Sequence, residues 1–211
     1  MGEFILKYWV EVLLTCVSSF VALTYKKIRK RFTEQDKKRE AIEKGVIKED
    51  QIITVSENAS SMGGSQILLE TGEEMSVDDL LKGITIASGN DAVVALAEAI
   101  AGTEDNFVKM MNDKLVELGL KDSNFKNCHG LDEEGHYSSA YDMAIIAKEL
   151  VKYPEVSEYT SIYEDYLRQD TDRKIWLVNT NKLVRFYQGV DGLKTGYTSA
   201  AGYCLTATAK K

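Results

Sequence analysis

A lysine, a threonine and a glycine stand together near the end of the chain, at Lys194, Thr195 and Gly196. An ammonium group and a hydroxyl side by side suit a carboxylate, because hydrogen bonds with a charged partner are the strong ones. Gly196 has no side chain, so a ligand or another backbone can approach closely at that position. The triplet is equally typical of a turn before an edge strand with a solvated lysine, because such residues are common in turns.

A second polar triplet, Ser88-Gly89-Asn90, interrupts a long apolar stretch. If helices flank it, a hydroxyl and an amide are held rigidly at the rim of the core. The alternative is an ordinary helix break, because Ser, Gly and Asn all favour turns and caps. Each triplet alone therefore favours the plainer interpretation.

Helices are predicted on both sides of the second triplet. Ser76 followed by Asp79 is a capping pattern, and it precedes a helix over 77–87. One face of that helix is apolar, which favours burial, and it carries Leu80, Leu81, Ile84 and Ala87. Apolar periodicity and caps predict the other helices at 91–102, 104–120 and 141–153, with a further helix end at 40–45.

Short strands are predicted where β-branched or apolar runs are bounded by Gly and polar residues, at 51–56, 66–70, 174–178 and 202–209. A strand is also expected to open at the Lys194 triplet. Helices dominate the middle of the sequence and strands its edges, which predicts an α+β fold with a sheet built from distant segments. The chain stops directly after an apolar strand, so we expect the sheet to be incomplete there.

Composition excludes several classes of protein. The 211 residues are 44% hydrophobic and 28% charged, as in globular proteins, and the net charge is −7. The acidic body that follows residue 39 would repel phosphates, so no nucleic-acid partner is expected. Three scattered cysteines form no CxxC motif, and His129 and His136 lack metal-ligand companions, so we predict neither a metal nor a cofactor.

Residues 1–39 differ in character from the rest of the chain. An uncharged run of 14 residues at 12–25 is short for a membrane span and has the length of a signal-peptide core. A basic run follows it at 26–39, with no small-residue cleavage site. Two interpretations stay open: a poor membrane anchor, or a segment foreign to a domain that spans 40–211.

The two triplets, in this order, resemble two of the three signatures of the penicillin-binding serine acyltransferases, Ser-x-x-Lys, Ser-Asp-Asn and Lys-Thr-Gly, with Gly89 in place of the aspartate of the second. The resemblance extends over the stretches 53–98, 125–144 and 179–209, which are similar to the low-molecular-mass D-alanyl-D-alanine carboxypeptidases. It implies a β-lactamase and penicillin-binding type of α+β domain with a helical middle and an antiparallel sheet, incomplete at both ends.

The resemblance also implies roles for the residues of the two triplets. Ser88 would relay a proton to the leaving amine, and Asn90 would hold the amide of the substrate. Lys194 and Thr195 would bind the terminal carboxylate of the substrate, and Gly196 would leave room for its backbone. The N–H of Tyr197 would be one oxyanion-hole donor.

The nucleophile of the first signature is not found. Ser123-Asn-Phe-Lys126 is the one Ser-x-x-Lys match. It follows Ser88 instead of preceding it, in a predicted loop, so we interpret it as a coincidence. Where the resemblance places the motif, just before Glu40, residues 32–39 contain no serine. The catalytic set is therefore predicted to consist of Ser88, Asn90 and Lys194 with the nucleophile unknown.

The resulting expectation is a serine-type D-Ala-D-Ala carboxypeptidase that is inactive with this sequence. Loss of such a nucleophile lowers the rate about 10⁶-fold. The alternatives are a non-catalytic remnant that binds peptidoglycan peptides, or a relative of the β-lactamases. The resemblance implies a peptidoglycan stem peptide as partner, β-lactams as ligands, and a location outside the cytoplasmic membrane in association with it.

Overall fold

The computed structural model describes Lys48 and residues 50–210. The helix end predicted at 40–45, and the apolar and basic runs before it, lie outside the described residues. In chain order the elements are β1 Ile52–Thr54, α1 Glu57–Ser60, β2 Glu74–Ser76, α2 Val77–Ala87, α3 Asn90–Ala101, α4 Glu104–Leu118, α5 Ala140–Leu150, α6 Pro154–Thr160, β3 Glu164–Leu167, β4 Ile175–Val178, α7 Leu183–Phe186, β5 Val190–Thr198 and β6 Gly202–Ala209.

The centre of the molecule is the helix pair α2 and α3. The Ser76 hydroxyl accepts a hydrogen bond from the Asp79 N–H, which confirms the predicted cap of α2. Leu80, Leu81 and Ile84 are fully buried. Helix α3 is buried on nearly all sides, which explains why it is apolar all round and not along one stripe only.

Helices α4 and α5 follow the predictions closely and enclose this centre. Thr103 caps α4 through the N–H of Asn106, and Ser139 caps α5 through the N–H of Asp142. Phe107, Met111 and Leu115 of α4 enter the core, as their spacing predicts. Helix α6 was not predicted from the sequence.

The described strands form three antiparallel pairs, and each pair joins consecutive strands: β1 with β2, β3 with β4, and β5 with β6. The predicted antiparallel pairing is confirmed. The expectation of a sheet built from distant segments is wrong for these strands. The β3–β4 and β5–β6 pairs are hairpins, whereas helix α1 and an irregular segment lie between β1 and β2.

The strand predicted at 66–70 is also wrong, because this segment is an irregular loop in which Leu68 has a φ of 57°. Its backbone groups are bound by side chains and not by another strand. The carboxylate of Asp91 accepts the N–H groups of Ile67 and Leu69, and the guanidinium of Arg168 donates to the Ile67 carbonyl. An apolar run of this kind satisfies its backbone without entering a sheet.

Candidate active site

The break between α2 and α3 places Ser88 at a helix terminus in an unusual backbone conformation. Ser88 is the C-cap of α2, with φ 62° and ψ 37°, in the left-handed region that non-glycine residues seldom adopt. The preceding helix holds it there through the hydrogen bond from its N–H to the Ile84 carbonyl. The hydroxyl therefore projects from a fixed position at the end of a buried helix.

Asn90 opens α3 and is nearly buried, 5% exposed. Its side-chain nitrogen donates to the Gly63 carbonyl at 2.8 Å, and its backbone nitrogen donates to the Ser65 carbonyl at 2.8 Å. Because an amide has two N–H hydrogens and an acceptor oxygen, the bond to Gly63 uses only part of its capacity. Asn90 thus ties the loop at 63–65 to the helix break.

Strand β5 brings the lysine of the other triplet to the same place. Lys194 is buried, 4% exposed, and its ammonium nitrogen donates to the Ser88 hydroxyl oxygen at 2.8 Å and to the Thr195 carbonyl at 2.6 Å. The two triplets that the sequence paired are therefore in direct contact. An ammonium bound to a hydroxyl oxygen orients the hydroxyl hydrogen away from itself, a suitable arrangement for passing on a proton.

The remaining residues of the triplet turn progressively outward along β5. Thr195 is half-buried, and its hydroxyl donates to the hydroxyl of Thr180 at 2.7 Å. Gly196 is exposed, and a Cβ there would meet only the Cβ of Cys204, at 4.0 Å. The space in front of Gly196 is therefore open, as a close backbone approach requires.

Tyr197 is exposed, and its ring contacts a tyrosine ring of the neighbouring strand. Its ring centroid lies 4.7 Å from that of Tyr203, directly opposite in the β5–β6 register. Cross-strand aromatic pairs of this kind stabilise a hairpin. The side chain of Tyr197 thus supports the strand, while the role expected of Tyr197 concerns its backbone N–H.

A loop between α4 and α5 reaches the tip of the β5–β6 hairpin. The carboxylate of Asp132 accepts the backbone N–H of Ala200 at 3.2 Å. His129 belongs to this loop, and its Nδ1 accepts the N–H of Leu131 at 3.3 Å. His129 is therefore a loop histidine that is bonded to backbone.

Burial shifts the pKa of one cysteine and two histidines in this loop. Desolvation lowers the pKa of His129 below its usual value, against the opposing attraction of Glu104 and Glu133. Desolvation also lowers the pKa of His136. Burial raises the pKa of the Cys128 thiol well above its usual value, so this thiol stays protonated and unreactive.

Ser123, the coincidental match to the missing signature, lies in the loop after α4. Its hydroxyl donates to the Asp142 carboxylate at 2.8 Å and contacts Ser138. This hydroxyl helps to join two loops around the start of α5. Within residues 48 and 50–210, no cluster of three or more His, Cys, Asp or Glu side chains is suited to a metal ion.

Thr180 is the site residue that sequence reasoning missed. It stands between two asparagines in the segment that follows β4, and its contact with Thr195 joins residues 15 positions apart. An Asn-Thr-Asn triplet is an ordinary loop composition, so only the three-dimensional arrangement distinguishes it.

Comparison with known proteins identifies the family of the chain. A family model described as D-alanyl-D-alanine carboxypeptidase matches residues 38–211. The chain is 66% identical over 172 residues to D-alanyl-D-alanine carboxypeptidase DacF of Bacillus subtilis. The aligned region covers 82% of this chain and 44% of that protein. It is 40% identical over 177 residues to DacA of Escherichia coli, covering 81% of this chain and 43% of the relative. The chain therefore spans less than half the length of these relatives.

Solved structures give the same result. Penicillin-binding protein 5 from Haemophilus influenzae superposes with a TM-score of 0.72 at 39% identity, over 82% of this chain and 50% of that chain. Penicillin-binding protein 6B from Escherichia coli gives 0.71 at 37% identity, over 84% and 55%. The predicted α+β fold of the penicillin-binding type is confirmed. The chain belongs to the D-alanyl-D-alanine carboxypeptidase family.

Proposed function

We propose that this chain recognises the C-terminal carboxylate of D-Ala-D-Ala peptides of peptidoglycan, as the carboxylate-binding side of a serine carboxypeptidase site. The contact that carries this proposal is the one between the Lys194 ammonium and the Ser88 hydroxyl, 2.8 Å apart. It assembles two of the family signatures in one place. Lys194 supplies a buried positive charge, and charge-assisted hydrogen bonds gain strength where water is excluded.

Each residue has a definite task in this proposal. Lys194 and Thr195 bind the terminal carboxylate, and the open space at Gly196 admits the peptide backbone. Asn90 holds the amide of the substrate. Where a nucleophile is supplied, Ser88 would pass a proton to the leaving amine, with its oxygen held by the ammonium of Lys194. The N–H of Tyr197 would then stabilise the oxyanion.

We further propose that the chain as given binds its ligand without acylation. Its sequence carries no Ser-x-x-Lys before Ser88, so the hydroxyl that would attack the peptide carbonyl is not supplied. Removing the nucleophile of such a catalytic unit lowers the rate about 10⁶-fold. β-Lactams would then be reversible ligands, because the ester bond that traps them needs that hydroxyl.

Peptidoglycan lies outside the cytoplasmic membrane, so we propose an extracytoplasmic location with association to the membrane. Among the residues that the structure describes, none of the helices is both long and apolar enough to cross a bilayer. The apolar run at 12–25 lies outside that part of the chain.

Equilibrium binding of a diacetyl-Lys-D-Ala-D-Ala peptide, measured by calorimetry, tests the recognition. The chain is expected to bind, and Lys194→Ala is expected to abolish binding. Lys121→Ala serves as control, because Lys121 is an exposed lysine on a loop far along the chain from both triplets. Absence of binding to the unmodified chain, or equal binding by the Lys194 variant, would refute the proposal.

A fluorescent penicillin tests the absence of acylation. No labelled band is expected to survive denaturation and electrophoresis. A band that persists would show a covalent ester and hence a working nucleophile. Steady turnover of the penicillin would instead favour the β-lactamase alternative.

A further inference from the structure

The hydroxyl of Thr180 lies 2.7 Å from the hydroxyl of Thr195, on the open side of the candidate site. Thr180 is exposed, although it belongs to a segment whose neighbours are buried. The Thr180 N–H donates to the carbonyl of Ile86 at 3.1 Å, at the end of α2 and two residues before Ser88. Thr180 therefore contacts both elements that form the site.

Two buried asparagines fix the position of Thr180. Asn179 donates from its side-chain nitrogen to the carbonyls of Thr160 and Ile162, at 3.2 and 2.7 Å. Asn181 donates from its side chain to the Gly192 carbonyl of β5 at 3.1 Å. The Asn181 N–H donates to Asn179 Oδ1 at 2.8 Å, which closes the turn around Thr180. The buried framework on both sides thus fixes the backbone that carries the exposed Thr180 hydroxyl beside Thr195.

The direction of the hydroxyl contact sets a condition on carboxylate binding. A hydroxyl has one hydrogen to donate and can accept two hydrogen bonds. In this structure Thr195 donates its hydrogen to Thr180. A carboxylate only accepts, so Thr195 must turn its hydrogen toward the ligand before it can bind one.

The contact between the two oxygens survives that turn only if Thr180 then donates its own hydrogen to Thr195. Rotation of the two hydroxyl hydrogens is sufficient, with no movement of the heavier atoms. The resulting chain runs from Thr180 to Thr195 to the carboxylate, and each bond in such a chain polarises the next.

We propose that Thr180 is a positioning residue for carboxylate recognition, which donates to Thr195 and thereby lets Thr195 donate to the terminal carboxylate of the peptide. This inference rests on the proposed function, because it assigns Thr180 a part in the carboxylate contact. With this role, the Thr180 hydroxyl strengthens the binding of ligands that end in a charged carboxylate more than the binding of ligands that do not.

The test compares Thr180→Val, which removes the hydroxyl at nearly constant shape, with Thr180→Ser, which keeps it. Each variant is titrated with diacetyl-Lys-D-Ala-D-Ala and with the same peptide ending in a carboxamide. Thr180→Val is expected to weaken binding of the acid about fivefold, the size of one net hydrogen bond. Binding of the carboxamide is expected to change less than about twofold, and Thr180→Ser is expected to restore binding of the acid.

The outcomes separate this inference from the function beneath it. If the unmodified chain binds neither peptide, the proposed function and the inference fall together. If Lys194→Ala abolishes binding while Thr180→Val binds the acid as tightly as the unmodified chain, only the inference is refuted. Equal weakening of acid and carboxamide would show that Thr180 merely supports the loop, which also refutes it.

Discussion

Both carboxylate oxygens of Asp91 lie 3.1 Å from the backbone nitrogen of Ile67. The same carboxylate accepts the N–H of Leu69 at 3.0 Å and the N–H of Ala92 at 2.9 Å. Asp91 is 1% exposed, and buried carboxylates persist only where donors surround them. One side chain next to Asn90 thus replaces the neighbouring strand that the segment around Ile67 lacks.

Asp91→Ala is therefore expected to lower the free energy of unfolding by about 3 kcal/mol or more, because it leaves several buried N–H groups without an acceptor. Urea denaturation measures this loss. Asp113→Ala is the control, because the Asp113 side chain is 52% exposed and its ion pair with Lys109, at 3.8 Å, lies at the surface. The control is expected to change stability by about 0.5 kcal/mol or less. A loss of similar size in both variants would contradict the role assigned to Asp91.

Ser88 provides a second prediction, because its backbone lies in the left-handed region while its hydroxyl binds Lys194. Ser88→Ala and Ser88→Gly both remove the hydroxyl, so that loss cancels when the two variants are compared. Glycine adopts positive φ without a steric cost, whereas alanine pays about 1 kcal/mol.

We expect Ser88→Gly to be more stable than Ser88→Ala by about 1 kcal/mol. Neither variant is expected to retain the binding of the unmodified chain to the D-Ala-D-Ala peptide. Thermal and urea denaturation measure the difference in stability. Equal stability of the two variants would mean that Ser88 leaves the left-handed region in solution.

Gly64 and Gly72 form a matched pair for a third prediction. Both have a positive φ, 80° and 81°. A Cβ on Gly64 would lie 2.6 Å from the side-chain nitrogen of Asn90, whereas a Cβ on Gly72 would meet nothing within 4 Å. Only the substitution at Gly64 therefore displaces a residue of the candidate site.

Gly64→Ala and Gly72→Ala are each expected to lower the free energy of unfolding by about 1 kcal/mol, because alanine is strained at a positive φ. Gly64→Ala is expected to lose further stability and to weaken binding of the D-Ala-D-Ala peptide, because Asn90 must move. Gly72→Ala is expected to bind like the unmodified chain. Parallel effects of the two substitutions on binding would argue that Asn90 takes no part in it.

Local signals in the sequence were sufficient to predict the elements whose ends are fixed by local chemistry. Helix α2 begins where Ser76 can cap it and ends at the Ser88 break, so its bounds follow from adjacent residues. Strand β6 was predicted with its observed bounds, because glycine and lysine flank its alternating apolar run. The segment around Ile67 has the same kind of local pattern, but Asp91 and Arg168 lie 24 and 101 residues away from it.

The candidate site also has one part that the sequence predicts and one part that it does not. Ser88 and Lys194 were paired because each lies in a motif, and a motif is visible along the chain. Thr180 contacts Thr195 across a turn whose shape depends on hydrogen bonds from Asn179 to α6 and the loop after it. No periodicity or spacing encodes such a contact, so it emerges only from the folded structure.

The last prediction concerns the two loop histidines, whose ring nitrogens act as acceptors. His129 Nδ1 accepts the N–H of Leu131, and His136 Nδ1 accepts the N–H of Lys126 at 3.2 Å. A protonated imidazole donates from both nitrogens, so it can accept neither bond. Burial lowers the pKa of both imidazoles, against the attraction of Glu104 and Glu133 on His129 and of Glu133 and Asp132 on His136.

A histidine with a lowered pKa binds fewer protons in the folded state than in the unfolded chain. Its contribution to stability is therefore complete above the unfolded pKa of about 6.5 and is lost as the pH falls below it. The double variant His129→Asn with His136→Asn keeps an acceptor oxygen near each Nδ1 position but does not titrate. Urea denaturation at about pH 7 and about pH 5 is expected to show a steeper loss of stability for the unmodified chain than for this variant. Identical losses of stability in the two proteins would contradict this role of the histidines. The carboxylates common to both proteins contribute equally and cancel in the comparison.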